Sequence, residues 1–426
     1  TKIKIHPYWK MNDLMEGAKI MNNGFDKLKQ ECIQHSLCVE CGACAAVCPE
    51  KAIEIKRYSW GNNPELCKEC KDSGCDLCVR VCPGRTQPLG KIEKQFFGRQ
   101  ANELERKLDI GVVRSFYTGF STQEKILEGA VSGGVTTSIL LNALKQGEID
   151  GAVLASFDPE KPWIGKAKVC TTEADILNCS GSCYQPHPQL LGIREAVNRG
   201  LKKFAVTATP CAAVALRKLM MTPELADIGS KIKLIISNFC AAHWSRWGTE
   251  WLIKEKMKLR LEDVAELCYR ARPFPGMFRV RLKDGTIREE KFVFGFLNHM
   301  GRFTPEECRY CLDKIGYAAD IAVGDTWGHP TKNPSRYLFN FTEEDAKDPF
   351  ATQARKGISQ FLARSEFGQK MIDSAIENGF LTAEKETEEI KNQVLSSVQT
   401  DKRTTNGQVI EARILRNIPI HEYIKD

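Results

Sequence analysis

Cysteine is the residue type whose spacing in this chain most clearly indicates chemistry. The run Cys38-x2-Cys41-x2-Cys44-x3-Cys48 is followed directly by Pro49. This spacing is typical of bacterial ferredoxins, in which three thiolates surround one 4Fe–4S cluster and the fourth ligates a second cluster. Zinc also accepts four thiolates, but zinc ribbons usually contain two separated C-x2-C pairs. The run therefore predicts iron–sulfur clusters.

A second copy of the run follows and contains one cysteine too many. Its end is Cys78-x3-Cys82, followed by proline, and its first two ligands are either Cys67 and Cys70 or Cys70 and Cys75. We favour Cys67 and Cys70, although the sequence leaves both sets open. Residues 31–95 are thus predicted to form a two-cluster ferredoxin-like domain after an N-terminal extension over 1–30. The candidate ligands are Cys38, Cys41, Cys44, Cys48, Cys67, Cys70, Cys75, Cys78 and Cys82.

Four further cysteines stand where a sheet would bring them together. Cys211 follows a strand-to-helix turn, Cys240 closes an apolar strand, and Cys308-x2-Cys311 forms a knuckle. Strand ends in one sheet emerge at the same edge, and a C-x2-C knuckle supplies a matched pair of ligands. A third cluster and a set of buried structural thiols are both consistent with this pattern.

Length and composition indicate the number of domains and the class of protein that carry these sites. The 426 residues predict two or three domains. The formal charge of +7 is no argument for a nucleic-acid partner, because cysteine-bound clusters would cancel much of it. No apolar run is long enough to span a membrane and the first ten residues do not look like a secretory signal, so we expect a cytoplasmic protein.

The middle of the chain alternates between strand and helix patterns. A glycine loop, Ser132-Gly133-Gly134, precedes an amphipathic helix at residues 135–144. Free N–H groups at a helix N-terminus can hold a phosphate, although an ordinary N-cap turn is the commoner occurrence. The predicted strands are 151–157, 203–208, 231–237 and 319–323, and the predicted helices are 189–200, 212–220 and 245–257. Residues 277–282 and 286–292 predict a hairpin around Asp284-Gly285.

Together these patterns predict an α/β (α+β) protein. The two-cluster module is followed by a mixed α/β domain over 110–345 and a C-terminal strand–helix segment and tail over 346–426.

The motifs resemble those of the coenzyme F420 hydrogenase/dehydrogenase beta-subunit family, from about residue 36 to at least 385. The resemblance lies in the cysteine repeat and in a series of short segments along the α/β region. These are residues 117–121, 132–136, 181–184, 209–211, 215–219, 239–240, 269–270, 308–313 and 319–325, with a C-terminal strand–helix pattern at 361–368.

The resemblance implies an FAD-containing module that exchanges a hydride with coenzyme F420, the deazaflavin of methanogenic archaea. We therefore expect a methanogenic or methanotrophic archaeon as the source. The resemblance also implies a third 4Fe–4S cluster on Cys211, Cys240, Cys308 and Cys311, which makes three clusters in all. The candidate cofactor-binding residues are Tyr117, Ser132, Gly133, Gly134, Thr136, Thr137, Ser182, Tyr184, Thr209 and Asp325.

Two positions depart from the family pattern. Cys183 stands where the family usually has lysine, and Ala212 stands where it usually has glutamine. Both positions lie beside the expected flavin or cluster. These departures keep a second function open, a ferredoxin-dependent flavin reductase of another substrate. A third alternative is an electron-relay subunit without a substrate site.

The expected function follows from the number of electrons that each cofactor carries. The deazaflavin transfers two electrons as a hydride and the clusters transfer one, so a flavin must lie between them. No protein side chain is expected to be catalytic, because positioning of the cofactors is the main contribution. Arg270, Arg272, Arg279 and Arg281 are candidates for binding the acidic tail of the deazaflavin.

The other half-reaction should lie on a separate protein, because no signature of a nickel, molybdopterin or siroheme site is present. The expected partners are F420 itself and either ferredoxin or a catalytic redox subunit, such as a hydrogenase, formate dehydrogenase or carbon monoxide dehydrogenase. Such an assembly would be free in the cytoplasm or peripheral on the cytoplasmic side of a membrane complex.

Overall fold

The computed structural model describes residues 23–58, 61–71, 74–291, 298–333 and 342–424. The chain begins there with a cysteine-rich module of three short helices and one hairpin. These are α1 (Gly24–Glu31), α2 (Ala43–Val47), β1 (Ile53–Arg57), β2 (Asn62–Leu66) and α3 (Leu77–Arg80). Strands β1 and β2 pair antiparallel. Most of the predicted N-terminal extension, residues 1–22, lies outside the described residues.

A short connection joins this module to the α/β domain. It contains β3 (Thr86–Pro88), α4 (Leu89–Phe97) and α5 (Glu103–Leu108). Helix α5 begins with a capping box, in which the Asn102 side chain accepts from the Glu105 N–H and the Glu105 carboxylate accepts from the Asn102 N–H.

An eight-stranded mixed sheet forms the body of the molecule. Its strands in spatial order are β14 (Leu381–Lys385), β4 (Ser115–Ser121), β13 (Ser359–Ala363), β12 (Ile321–Asp325), β8 (Ile232–Asn238), β7 (Phe204–Ala208), β5 (Gly151–Phe157) and β6 (Gly165–Cys170). The pairings make β4, β12, β8, β7 and β5 run in one direction. Their carboxyl ends therefore lie along one edge of the sheet, where open α/β sheets bind ligands.

Helices cover both faces of this sheet. The helices from 124 to 229 are α6 (Glu124–Gly129), α7 (Val135–Lys145), α8 (Glu173–Asn178), α9 (Leu191–Asn198), α10 (Pro210–Met221) and α11 (Ala226–Gly229). Along β7, Phe204 and Val206 pack into one apolar core while Ala205 packs into another. Because both faces of the large sheet are buried, its central strands have continuous apolar sequences rather than an alternation of apolar and polar residues.

A second, smaller sheet stands beside the first. Helix α12 (Arg246–Trp251) continues as one π-helical turn and leads into β9 (Val264–Ala271), β10 (Met277–Leu282) and β11 (Ile287–Lys291), after which α13 spans Asn298–Phe303. The predicted hairpin is present as β10 and β11, and Phe292, which was assigned to its second strand, lies outside the described residues.

The C-terminal segment completes both parts of the structure. Helix α14 (Pro349–Lys356) precedes β13, α15 (Glu366–Glu377) joins β13 to β14, and α16 (Glu388–Leu415) is 28 residues long. The last strand, β15 (Glu422–Ile424), pairs parallel with β3. The tail therefore packs on the rest of the chain.

One buried guanidinium ties the sheet to the loops beneath it. The Arg364 side chain is fully buried and donates to the carbonyl oxygens of Ile110, Val112, Ile315 and Gly316 at 2.6–3.0 Å. These carbonyls belong to two segments that are distant in sequence. The contacts therefore fix the loop before β4 against the loop before β12.

We predict that Arg364→Leu lowers the free energy of unfolding by about 3 kcal/mol or more, because four buried carbonyls lose their charged donor. Denaturant unfolding under anaerobic conditions measures the change. The control is Arg416→Leu at an exposed position, which should change stability by less than about 0.5 kcal/mol. Equal effects of the two substitutions would contradict the role of Arg364.

Candidate iron–sulfur centres and glycine loop

Four cysteines from both runs surround one cavity in the N-terminal module. Its lining includes Cys38, Cys41, Cys44 and Cys82. Burial, and next the neighbouring Cys44 and Cys82, raise the pKa of the Cys38 thiol well above its usual value. Burial also raises the pKa of Cys41 to about 12. Cys82 comes from the second run, which matches the crossed ligation of two-cluster ferredoxins.

A second group of thiols forms around Cys78. Burial raises the pKa of Cys78 to about 12, with further contributions from Cys75, Cys48 and Cys70. Cys67 is exposed, and its sulfur lies 3.4 Å from the carbonyl oxygen of Ala52. This geometry favours Cys70 and Cys75 as the first two ligands of the second run, rather than the pair of Cys67 and Cys70 that we preferred from the sequence.

The structure brings the four remaining candidate cysteines together. Burial, and then Cys311 and Cys240, raise the pKa of the Cys211 thiol well above its usual value. Burial also raises the pKa of Cys308, to which Cys240 contributes. Cys211 opens α10 directly after β7 and Cys240 follows β8, so both lie at the carboxyl edge of the sheet.

The three thiol groups follow one another through the molecule. Cys41 is one of the groups that raise the pKa of Cys211, and Cys78 is one of those that raise the pKa of Cys44. The first group therefore neighbours both the third group and the second. The series leads from the edge of the large sheet to the exposed loop that carries Cys67.

The donor set fits 4Fe–4S clusters. Buried thiols with raised pKa values become thiolates only beside a strong positive centre, which bound metal supplies. Within the described ranges, no three His, Cys, Asp or Glu side chains converge on one metal ion. The two observations agree, because the thiolates of a cluster bind different irons and stand further apart than the ligands of one ion. The assignment of each cysteine stays a prediction.

Two buried lysines beside these groups escaped the sequence analysis. Lys218 of α10 donates to the carbonyl oxygen of Cys82 and, at 3.0 Å, to that of Thr86. Lys402 of α16 donates to the sulfur of Cys311 at 3.2 Å. The apolar residues around Lys218 could have indicated that this lysine is buried, because they predict a helix that is covered on most sides. The charged sequence around Lys402 gave none.

The glycine loop lies at the same edge of the sheet as the third thiol group. The Ser121 N–H at the end of β4 donates to the carbonyl oxygen of Gly133 at 2.6 Å. A Cβ atom at Gly133 would meet the Gly119 carbonyl oxygen at 2.6 Å, so only glycine fits there. Gly134 has φ +70 and caps α7. The predicted loop and helix are therefore both present.

An arginine reaches this loop from the small sheet. The Arg272 Nε donates to the carbonyl oxygen of Ala130 at 2.7 Å. Its Nη2 is buried and finds no hydrogen-bond partner in the part of the chain that the structure describes. A guanidinium beside the N-terminus of an eleven-residue helix adds to the positive potential there and suits a diphosphate.

The predicted cofactor-binding hydroxyls of Ser132 and Thr137 contact other parts of the protein. The Ser132 hydroxyl donates to the carbonyl oxygen of Ile358 at 2.8 Å, so it holds the loop against β13. Thr137 lies in the first turn of α7, 3.5 Å from the Ser180 hydroxyl. Thr136 is half-buried in the same turn. These contacts bring the segment before Ser182 next to the loop.

Tyr184 and Asp325 lie at the junction of the two sheets. The Arg270 guanidinium donates to the Asp325 carboxylate at 2.7 Å and to the Tyr184 hydroxyl at 3.5 Å. Ser182 also hydrogen-bonds the Tyr184 side chain. Asp325 ends β12 at the carboxyl edge. Because Arg270 is committed to this carboxylate, it organises the junction rather than forming a free rim.

Two of the predicted cofactor-binding side chains, Tyr117 and Thr209, contact other groups of the protein. The Tyr117 ring is buried and stacks on Phe361 at 5.5 Å, and its hydroxyl accepts from Gln369 at 3.0 Å. Its side chain therefore belongs to the core beneath the sheet, and only its strand borders the loop. The Thr209 hydroxyl lies 3.2 Å from the Cys211 sulfur, which places it at the third thiol group.

The remaining predicted arginines are paired at the surface. Arg279 bonds Glu289 at 2.6 Å and Arg281 pairs with Glu266, all four on the exposed side of the small sheet. These pairs match the solvated hairpin face that an alternating strand pattern usually gives. Arg272 is thus the member of the set that reaches the glycine loop.

Of the two departures from the family pattern, Cys183 is half-buried and Ala212 is buried. The Cys183 sulfur lies 3.8 Å from Nδ1 of His187, and burial raises the pKa of this thiol to about 12. Ala212 is buried in the core beneath α10. Burial lowers the pKa of the His243 imidazole to about 3, with a smaller contribution from His187. The backbone N–H of His243 donates to the Cys308 sulfur at 3.4 Å. The sequence gave no sign that these two histidines lie together.

The fold and the cysteine groups define an iron–sulfur protein that joins a ferredoxin-like module to a mixed α/β domain. The chain belongs to the coenzyme F420 hydrogenase/dehydrogenase beta-subunit family. The family model for the N-terminal part matches residues 116–193, and the model for the C-terminal part matches residues 201–389. A model of the 4Fe–4S binding domain matches residues 32–54.

Named relatives agree with this assignment. The chain is 29% identical over 307 residues to a subunit of the F(420)H(2) dehydrogenase of Methanosarcina mazei, covering 69% of this chain and 77% of the relative. It is 25% identical over 297 residues to the beta subunit of the coenzyme F420 hydrogenase of Methanosarcina barkeri, covering 69% and 89%.

A solved structure shares the fold. A chain of the F420-reducing [NiFe] hydrogenase complex from Methanosarcina barkeri matches with a TM-score of 0.56 and 24% identity, over 72% of this chain and 96% of that one.

Among the described residues, no helix, including the 28 residues of α16, is long and apolar enough to cross a membrane.

We predict that Cys75→Ser removes about one cluster's iron, about four atoms per chain, whereas Cys67→Ser leaves the iron content unchanged. The reason is that Cys75 neighbours the buried thiols and Cys67 faces solvent. Iron analysis and electron paramagnetic resonance of the two anaerobically prepared variants measure the difference. The opposite pattern would restore the ligand pair preferred from the sequence.

Proposed function

We propose that this chain is a coenzyme F420 oxidoreductase that exchanges hydride between F420 and FAD and single electrons with a partner protein through three 4Fe–4S clusters. The observation that carries the proposal is the series of three cysteine groups that begins at the sheet edge bearing the glycine loop. Family membership and the names of the relatives support F420 as the substrate.

The chain supplies a fitting place for FAD. Gly133, Gly134 and the N-terminus of α7 would hold its diphosphate, with Arg272 as the charged partner. Tyr184 and the Arg270–Asp325 pair would border its ring system from the junction of the sheets. When bound, the flavin would accept or donate a hydride on one side and single electrons on the other.

The chain also supplies the route for single electrons. Cys211, Cys240, Cys308 and Cys311 would hold the cluster nearest the flavin, at the same sheet edge. The group with Cys38 would hold the next, and the group with Cys78 the outermost. The loop over 67–71 then presents the last cluster to ferredoxin or to a catalytic redox subunit.

A second candidate function rests on the departure from the family pattern at Cys183. Cys183 replaces the lysine of the family pattern with a neutral thiol next to His187. Loss of a positive charge in this region would change how an anionic deazaflavin binds. The alternative is a ferredoxin-dependent flavin reductase of another substrate.

The two functions are separated by an anaerobic assay of the complete chain. With reduced viologen as electron donor, the proposal expects loss of the F420 absorbance, together with about one FAD and about twelve irons per chain. Viologen oxidation by a flavin-containing protein that leaves F420 unchanged would favour the other substrate. Protein without flavin, or with zinc in place of iron, would overturn both.

We predict that Arg272→Met lowers retained FAD about tenfold or more, because the diphosphate loses a charged hydrogen-bond donor. Equilibrium dialysis or flavin fluorescence after gel filtration measures retention. The matched control is Arg281→Met on the same small sheet, whose guanidinium pairs with Glu266 at the surface. Unchanged retention in Arg272→Met, with cluster content intact, would remove Arg272 from the flavin site.

A further inference from the structure

Helix α16 lies largely beyond the segment that defines the family. The family model ends at residue 389, whereas the helix runs from Glu388 to Leu415. Gln399, Lys402 and Asn406 are spaced three and four residues apart, so their side chains share one face of the helix. All three are buried, although polar side chains are usually exposed.

This face packs on the Cys308–Cys311 knuckle and the loop that follows it. The Asn406 amide donates to the carbonyl oxygens of Cys308 and Cys311 at 2.9 and 2.7 Å. The Gln399 amide donates to the carbonyl oxygen of Leu312 and accepts from the Lys314 N–H at 3.1 Å. The helix therefore holds the backbone on both sides of Cys311.

Lys402 lies between these two amides and points at the thiols. Its Nζ donates to the Cys311 sulfur at 3.2 Å, to the Cys240 carbonyl oxygen at 3.0 Å and to the Asp313 carbonyl oxygen at 2.9 Å. An ammonium group has three N–H donors, so these contacts use its full capacity. They join cysteines from two distant parts of the chain.

The carboxylates near Lys402 are engaged by other groups. Asp313 accepts three backbone N–H bonds from residues 315–317 at 2.8–3.1 Å. Asp401 pairs with Lys314 at 2.5 Å, and Asp109 pairs with Arg403. The lysine is 5% exposed. A buried ammonium needs a compensating negative charge, and the thiolates of the knuckle provide it together with the Asp313 carboxylate, which also interacts with Lys402.

We propose that Lys402 is the positioning residue of the third cluster and raises its reduction potential, by placing a fixed positive charge and an N–H···S hydrogen bond against Cys311. The proposal rests on the proposed function, which assigns a cluster to these four cysteines. Reduction adds one negative charge to a cluster, and a nearby cation stabilises the reduced form more than the oxidised form. Hydrogen bonds to the ligand sulfurs act in the same direction.

The test compares Lys402→Met with the wild-type holoprotein in a redox titration followed by electron paramagnetic resonance. At the wild-type midpoint, the ratio of reduced to oxidised third cluster should fall about tenfold, a shift of about 59 mV for a one-electron couple. Lys402→Arg keeps the charge and should restore most of the ratio. The signals of the other two clusters should not move.

Lys391→Met is the matched control. Lys391 is a buried lysine of the same helix, and its Nζ pairs with Glu388 at 2.5 Å rather than with a cysteine. Its removal should leave all three midpoints unchanged. If Lys402→Met sheds the third cluster while Lys402→Arg keeps it, the loss itself supports the role of the charge.

Two outcomes overturn the inference, and they can be told apart. An unchanged midpoint in Lys402→Met with about twelve irons per chain rejects the role of Lys402 and leaves the proposed function standing. A wild-type protein with only about eight irons rejects the third cluster and with it both proposals.

Discussion

The structure depends on three groups of cysteines whose thiolates cannot be buried without a compensating positive charge. Burial raises the pKa of Cys38, Cys44, Cys211 and Cys308 well above the usual value, and neighbouring thiols or, at Cys308, also a carboxylate raise each of them further. Thiols of this kind are packed together at a cost unless metal binds them. Five parallel strands of the large sheet end at one edge, and this arrangement brings Cys211 and Cys240 of the third group together.

The parts of the fold that the sequence predicted are those set by local patterns. The C-x2-C-x2-C-x3-C run, the glycine loop before α7 and the Asp-Gly hairpin each depend on neighbouring residues. From the sequence, a third cluster on Cys211 and Cys308 and a set of buried structural thiols were equally consistent with the pattern. Parallel strands share an edge, but the path of the loop that carries the knuckle could not be predicted. The choice between Cys67 and Cys75 depended on how one surface loop folds, which spacing does not encode.

Other features depend on long-range packing and left no signal in the sequence. Tyr117 belongs to a segment that matches the family, yet its hydroxyl accepts from Gln369, 252 residues later. Four arginines near the hairpin looked alike in sequence, but only Arg272 extends to the glycine loop while Arg279 and Arg281 meet carboxylates on adjacent strands. An alternating strand pattern predicts which face of the sheet a side chain lies on, but it does not predict which residues that side chain will contact.

The placement of α16 explains why a helix beyond the family segment is so polar on its buried face. An apolar helix would cover the knuckle but leave the carbonyl oxygens of Cys308, Cys311 and Leu312 without donors. The amides of Gln399 and Asn406 satisfy these carbonyls, and the ammonium between them balances negative charge. The first group of thiols has a comparable cation in Lys218, which donates to the carbonyl oxygens of Cys82 and Thr86. Fixed cations therefore stand beside the two thiol groups nearest the large sheet, and under the proposed function they would favour electrons on the two clusters that these groups hold.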